Sequence, residues 1–167
     1  DYYKPNGGIV FPNPHAPTGI ALPSAAIEEI LQHNPESLVV VDEAYVDFGG
    51  ETVLPLLKKY ENLIVVQTFS KSRDMAGERI GFAIGSVELI KALHDVKYSF
   101  NSYTMNRSAL DAGTAAVQNA AYLQETTARI VKTREHTKQV LAEMGFRFPD
   151  SKSCLLYTSP SPRDAHE

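Results

Sequence analysis

Short β-branched apolar runs mark the first half of the chain, and apolar residues at helical spacing mark the second. Residues 8–11 (GIVF) read as a strand entering a proline-rich loop, residues 12–23. Ser24 then fits the N-cap of a helix reaching about His33, because its hydroxyl can accept from an orphan amide. Residues 38–41 (LVVV) are apolar on both faces, as a buried parallel strand requires. A short helical piece over residues 54–60 leads to a third strand, residues 63–66 (LIVV). A fourth, residues 81–84 (GFAI), follows a loop rich in Ser, Lys and Arg. Apolar strands with helices between them predict an α/β fold with a mainly parallel sheet.

Helical character dominates beyond Val87. Residues 87–95 read as a helix, and residues 106–144 are rich in helix formers. Ile130, Thr137, Leu141 and Met144 fall near one face there, and Gly145 suits the C-terminal cap. Residues 146–153 can lead into another strand. Residues 154–167 (CLLYTSPSPRDAHE) are Ser/Pro-rich without periodicity. They resemble translated adaptor or vector sequence and read as a non-native or disordered tail to a domain covering residues 1–153.

Composition narrows the function classes. Hydrophobic residues make up 43% and charged residues 22%, the proportions of an ordinary globular protein. The net charge of −4, with no Lys/Arg cluster, leaves no electrostatic footprint for nucleic acid. No apolar run reaches membrane-spanning length, and the first residues lack the pattern of a secretory signal. The single cysteine, Cys154, forms no disulfide within the chain and suits a reducing cytoplasm. The five histidines are scattered without metal-ligand spacing, so no metal is expected.

Chemistry gathers in loops that follow three of the strands, where open parallel sheets bind ligands. The first, residues 13–19 (NPHAPTG), is stiffened by prolines and a glycine; it can hold Asn13 against a flat ligand or simply connect strand to helix. In the second, Asp42 leaves an apolar strand partly desolvated and wants a cationic partner, with Tyr45 close by. Alternatively, Asp42 caps its loop and Tyr45 packs in the core. In the third, residues 68–81, hydroxyls at Thr68, Ser70 and Ser72 and the guanidinium of Arg79 bracket Lys71. Arginine binds phosphate bidentately, and a Schiff-base lysine needs its pKa lowered by neighbouring cations or burial. A solvated basic loop explains less well why this segment follows an apolar strand.

Taken in order, NGGIVFPNPHAPTG, VVVDEAYVDF and the lysine loop through ERIGFAIG resemble the active-site segments of fold-type I pyridoxal-phosphate aminotransferases, most closely the histidinol-phosphate aminotransferase subgroup. The resemblance covers roughly residues 1–153. It implies the central part of a large domain, with helices on both faces of the sheet, running into the start of a small domain. By the same resemblance, Lys71 holds the cofactor pyridoxal 5′-phosphate and moves the substrate proton. Asp42 pairs with the pyridine nitrogen, Tyr45 bonds the 3′-oxygen, and Thr68, Ser70 and Arg79 surround the phosphate. Where the family has Asn before Pro-Thr-Gly this chain has Ala16, and Asn13 stands as its substitute.

The implied reaction is transamination of L-histidinol phosphate with 2-oxoglutarate by a cytoplasmic homodimer. It needs a small-molecule amino donor and a 2-oxo acid acceptor, with no nucleic acid and no membrane. A carboxylate-binding arginine is expected beyond Ser153, and a further phosphate-binding segment upstream of Asp1. Another amino-acid aminotransferase or a phosphothreonine decarboxylase-like enzyme would share these residues. So would a non-catalytic aminotransferase-like sensor domain of a regulator.

Overall fold

A computed structural model of the chain describes residues 2–158. Its first half is a four-stranded sheet in the order of the sequence: β1 (Ile9–Pro12), β2 (Val39–Asp42), β3 (Leu63–Thr68) and β4 (Gly81–Gly85). The first three strands are parallel, with Pro12 opposite Asp42 and Asp42 opposite Val66. β4 runs antiparallel to β3, with Thr68 opposite Gly81. The intervening loop holds only a 3-10 turn, Ala76–Glu78, so no helix carries the chain across the sheet and the strand returns alongside.

Strand alternation decides which side chains meet the core. Ile9, Phe11, Val39, Val41, Leu63 and Val65 project to one face and are buried. The helix α1 (Ser24–His33) covers them with Ile27, Ile30 and Leu31, and Val53 and Leu56 complete the cluster. Each such side chain contributes about 1.5–3 kcal/mol by leaving water. On the opposite face Val10 is 74% exposed, so at β1 the expected cover on both faces is not met among the described residues.

Ser24 is not the N-cap of α1. Pro23 takes that position without a side-chain bond, and the Ser24 amide is satisfied by Glu51 Oε2 at 2.9 Å. α2 (Val87–Phe100) runs longer than its pattern suggests and is capped by Ser86. The following helical stretch divides into α3 (Arg107–Gln118) and α4 (Ala120–Glu143). Gly145, at φ 85°, ends α4 as expected, with the Phe146 amide reaching back to the Leu141 carbonyl at 2.9 Å. Met144 is 66% exposed and lies off the helix's packed face.

Residues 146–153 form no strand. They cross back as an extended strap, whose Lys152 amide donates to the Gly19 carbonyl at 2.8 Å. Gly19, at φ +73°, allows this approach, since a Cβ there would stand 2.0 Å from Ser151 Oγ. Residues 154–158 of the expected tail are described and carry no regular structure; residues 159–167 lie outside the described residues.

Candidate active site

The three chemistry-bearing loops leave the carboxyl ends of three adjacent parallel strands, so the sheet brings them together. Alternation also separates Asp42 from Glu43. Glu43 continues the core face and is 2% exposed. It accepts from Thr52 Oγ1 at 2.8 Å, from the Val53 amide at 2.6 Å and from Gln67 Nε2 at 2.8 Å. Asp42 faces the other side, half-buried; one carboxylate oxygen accepts from the Ala44 amide at 2.9 Å. Among the described residues its other oxygen accepts nothing and is available to a cationic group.

Lys71 is exposed, and its Nζ stands 5.3 Å from the centre of the Tyr45 ring. That contact joins the loop after β3 to the loop after β2. The Thr68 hydroxyl accepts from the Ser70 amide at 3.0 Å. Its one proton is shared between Ser70 Oγ at 2.9 Å and the Ile80 carbonyl at 3.2 Å. Arg79 takes a left-handed backbone, φ 57°, and its exposed guanidinium donates to the Ala76 carbonyl at 2.8 Å. Because Thr68 pairs with Gly81, both ends of the lysine loop emerge at the same end of the β3–β4 pair.

Asn13 behaves differently. It is 1% exposed, and its carboxamide closes on the backbone of Leu22, accepting at 2.7 Å and donating at 3.1 Å. Both polar atoms hold the proline loop shut, and Asn13 faces that loop rather than the open side.

Several supporting residues escape a reading of strand ends. Arg134 of α4, 7% exposed, donates to the Phe48 carbonyl at 2.6 Å and to the Ser153 carbonyl at 2.9 Å. It thereby fixes both the strap and the turn behind Tyr45. Its place among Ile130 and Thr137, on the packed face of the helix, is the sequence signal that marks it. A cleft of about 460 Å³ runs from Asp74 on the lysine loop along α4 to Leu156, lined by Arg129, Thr133 and Cys154. Burial pushes the Cys154 thiol up, outweighing the charges of Lys71 and Arg134, so it stays protonated at neutral pH and is a poor nucleophile.

Among the described residues no group of His, Cys, Asp and Glu is arranged to hold a metal ion, and no helix is long and apolar enough to cross a membrane. A lysine beside a phenol, a carboxylate at the end of the neighbouring strand, and hydroxyls with an arginine at the ends of the lysine loop are thus gathered at one end of the sheet.

A model of the family Aminotransferase class I and II matches residues 2–167. The chain belongs to that family. The match continues through residues 154–167. Within the family, the chain is 51% identical to the histidinol-phosphate aminotransferase of Lactococcus lactis subsp. cremoris, over 98% of this chain and 46% of that protein. It is also 51% identical to histidinol-phosphate aminotransferase 2 of Dechloromonas aromatica, with the same shares covered. The chain thus spans about half the length of these curated relatives.

Among solved aminotransferases, the structure resembles histidinol-phosphate aminotransferase from Sinorhizobium meliloti in complex with pyridoxal-5′-phosphate. The TM-score is 0.78 at 27% identity, covering 88% of this chain and 40% of that one. The enzyme of the same name from Clostridium acetobutylicum shares the fold, with a TM-score of 0.79 at 23% identity, over 88% of this chain and 46% of that one.

Proposed function

We propose that this chain is the cofactor-holding part of a pyridoxal-phosphate aminotransferase that converts L-histidinol phosphate, with 2-oxoglutarate as amino acceptor. The observation that carries the reading is the meeting of Lys71 with Tyr45, beside a carboxylate at the end of the adjacent strand. The substrate rests on the identities of about half to relatives of that name. The whole protein is proposed to act as a cytoplasmic homodimer.

In this reading Asp42 holds the proton on the pyridine nitrogen, and Tyr45 donates to the ring's 3′-oxygen. Arg79, with the hydroxyls of Thr68 and Ser70, binds the phosphate. Asn13 acts at one remove, by keeping the proline loop closed on Leu22. Pyridoxal phosphate, when bound, supplies an electron sink for the charge that develops at the donor's α-carbon. Lys71 supplies the amine that fixes the aldehyde, then takes the α-proton and returns it as general base and acid. Arg79 would hold the phosphate independently of Lys71, which would preserve the geometry on which the rate depends.

Two substitutions in a full-length protein carrying this sequence separate these roles. Asp42→Ala is expected to retain cofactor but lose most turnover of L-histidinol phosphate, because removing one partner of a desolvated charge pair costs about 3–5 kcal/mol. Arg79→Ala is expected mainly to weaken cofactor affinity. Turnover and cofactor titration together test the reading, and identical affinity defects in both variants count against it.

A further inference from the structure

We infer that Ser72 and Asp47 form a positioning pair that sets the Lys71 amine against Tyr45; the inference rests on the reading of Lys71 and Tyr45 as cofactor-holding residues. Ser72 directly follows Lys71 and is 2% exposed. Its hydroxyl donates to Asp47 Oδ2. Asp47 lies two residues beyond Tyr45, in the 3-10 turn Val46–Phe48. One side-chain bond therefore ties the loop that carries the amine to the loop that carries the phenol.

The next residues of the lysine loop are committed elsewhere. Arg73 Nη1 donates to the Ala116 carbonyl of α3 at 3.0 Å, and its guanidinium lies 5.0 Å from the Phe69 ring centre. Asp74 accepts from the phenol of Tyr122 on α4 at 3.2 Å, a bond that raises the Tyr122 pKa. These contacts hold the loop to the helices but leave its distance from Tyr45 unset. Among the described side-chain hydrogen bonds, the Ser72–Asp47 bond alone spans the two loops. An anionic acceptor makes it stronger than a neutral pair, and a buried hydroxyl deprived of its acceptor is driven to find another. Losing the bond frees the loop to shift, and a displacement of about 1 Å can cost about a hundredfold in rate.

Asp47 is exposed, so substitutions there leave the core undisturbed. The test uses a full-length protein carrying this sequence, with pyridoxal phosphate as probe and borohydride to fix it, followed by peptide mapping and steady-state kinetics. Asp47→Ala is expected to slow labelling of Lys71 and to lower kcat by about tenfold or more, with KM for the amino donor nearly unchanged. Asp47→Asn keeps an acceptor oxygen and is expected to restore most of both. Adding Ser72→Ala to Asp47→Ala should cost little more, since the bond is already gone. Unchanged labelling and kcat in Asp47→Ala, with the label on Lys71, overturns the pair but leaves the proposed function standing. A label on another lysine of the parent protein overturns both.

Discussion

Arg134 shows how much one residue can hold at a distance from the chemistry. Its guanidinium joins α4, the turn behind Tyr45 and the strap, and it also pairs with Glu135 at 2.7 Å. Arg134→Ala strips partners from the Phe48 and Ser153 carbonyls, each worth about 1–3 kcal/mol when left buried and unpaired. A stability loss on the order of 3 kcal/mol is expected in a urea titration. Arg134→Lys should recover only part of it, because an ammonium cannot present the same fork of donors. An unchanged midpoint would show that the strap and turn are held by other contacts. The placing of Asp42, Tyr45, Thr68, Ser70 and Lys71 at one end of the sheet is legible in the sequence, because each stands at or just beyond the end of an apolar strand. Arg134 is harder to see, because only its place between Ile130 and Thr137 on the packed face separates it from ordinary helix surface. Glu43 is hidden by its neighbour: only strand alternation, once the strand's last residue is known to be Asp42, sends it to the core.

At the scale of elements, runs of apolar residues betray the strands to within a residue or two, because the first three bury one face against α1. Their junctions are harder to read. Ser24 looks like a cap but yields to Glu51, whose carboxylate arrives from a residue distant in sequence. The stretch 106–144 looks continuous, yet Asn119 closes α3 through its backbone amide and opens α4 by accepting from the Tyr122 amide at 3.2 Å. The strap that follows α4 is held by charge as well as by Arg134. Hydrogen bonds from Lys138, then Lys152, keep Asp150 below the usual carboxylate range, and Lys138, then Arg134, do the same for Glu135. Lys138 is partly desolvated, which alone would lower its pKa, but bonds to Asp150 and Glu135 raise it. The carboxylates thus stabilise the fold above their ordinary range near about pH 4, and this is lost as pH falls through their depressed values. The lysine's share is present below about pH 10.4 and is lost as pH rises through its raised value. Asp150→Asn is expected to cost at most about 1 kcal/mol at pH 7, since Asp150 itself is largely exposed, and progressively less as pH falls through the depressed Asp150 value. A difference in melting temperature that persists unchanged into acid would contradict this.

For the whole molecule, the family and the placing of the three loops are legible because they depend on local motifs and strand order. The open side is not, since Val10 is apolar and reads as core, yet stands exposed among the described residues. A chain about half the length of its curated relatives has fewer elements with which to cover such a face. Strap and tail should also behave differently under truncation. Deleting residues 154–167 is expected to move the melting temperature by less than about 2 °C, whereas a cut before Ser151 removes the bonds to Arg134 and Gly19 and should lower it by about 2–4 °C per kcal/mol lost. Equal effects would place the tail within the packed structure. The central claim, that Lys71 is the residue that holds the cofactor, is tested most directly by treating the protein with pyridoxal phosphate, reducing with borohydride and mapping the labelled peptide. A single label on Lys71, with visible absorbance that vanishes in Lys71→Ala, is the expected result; a label on Lys91 or Lys97 that survives Lys71→Ala would contradict it.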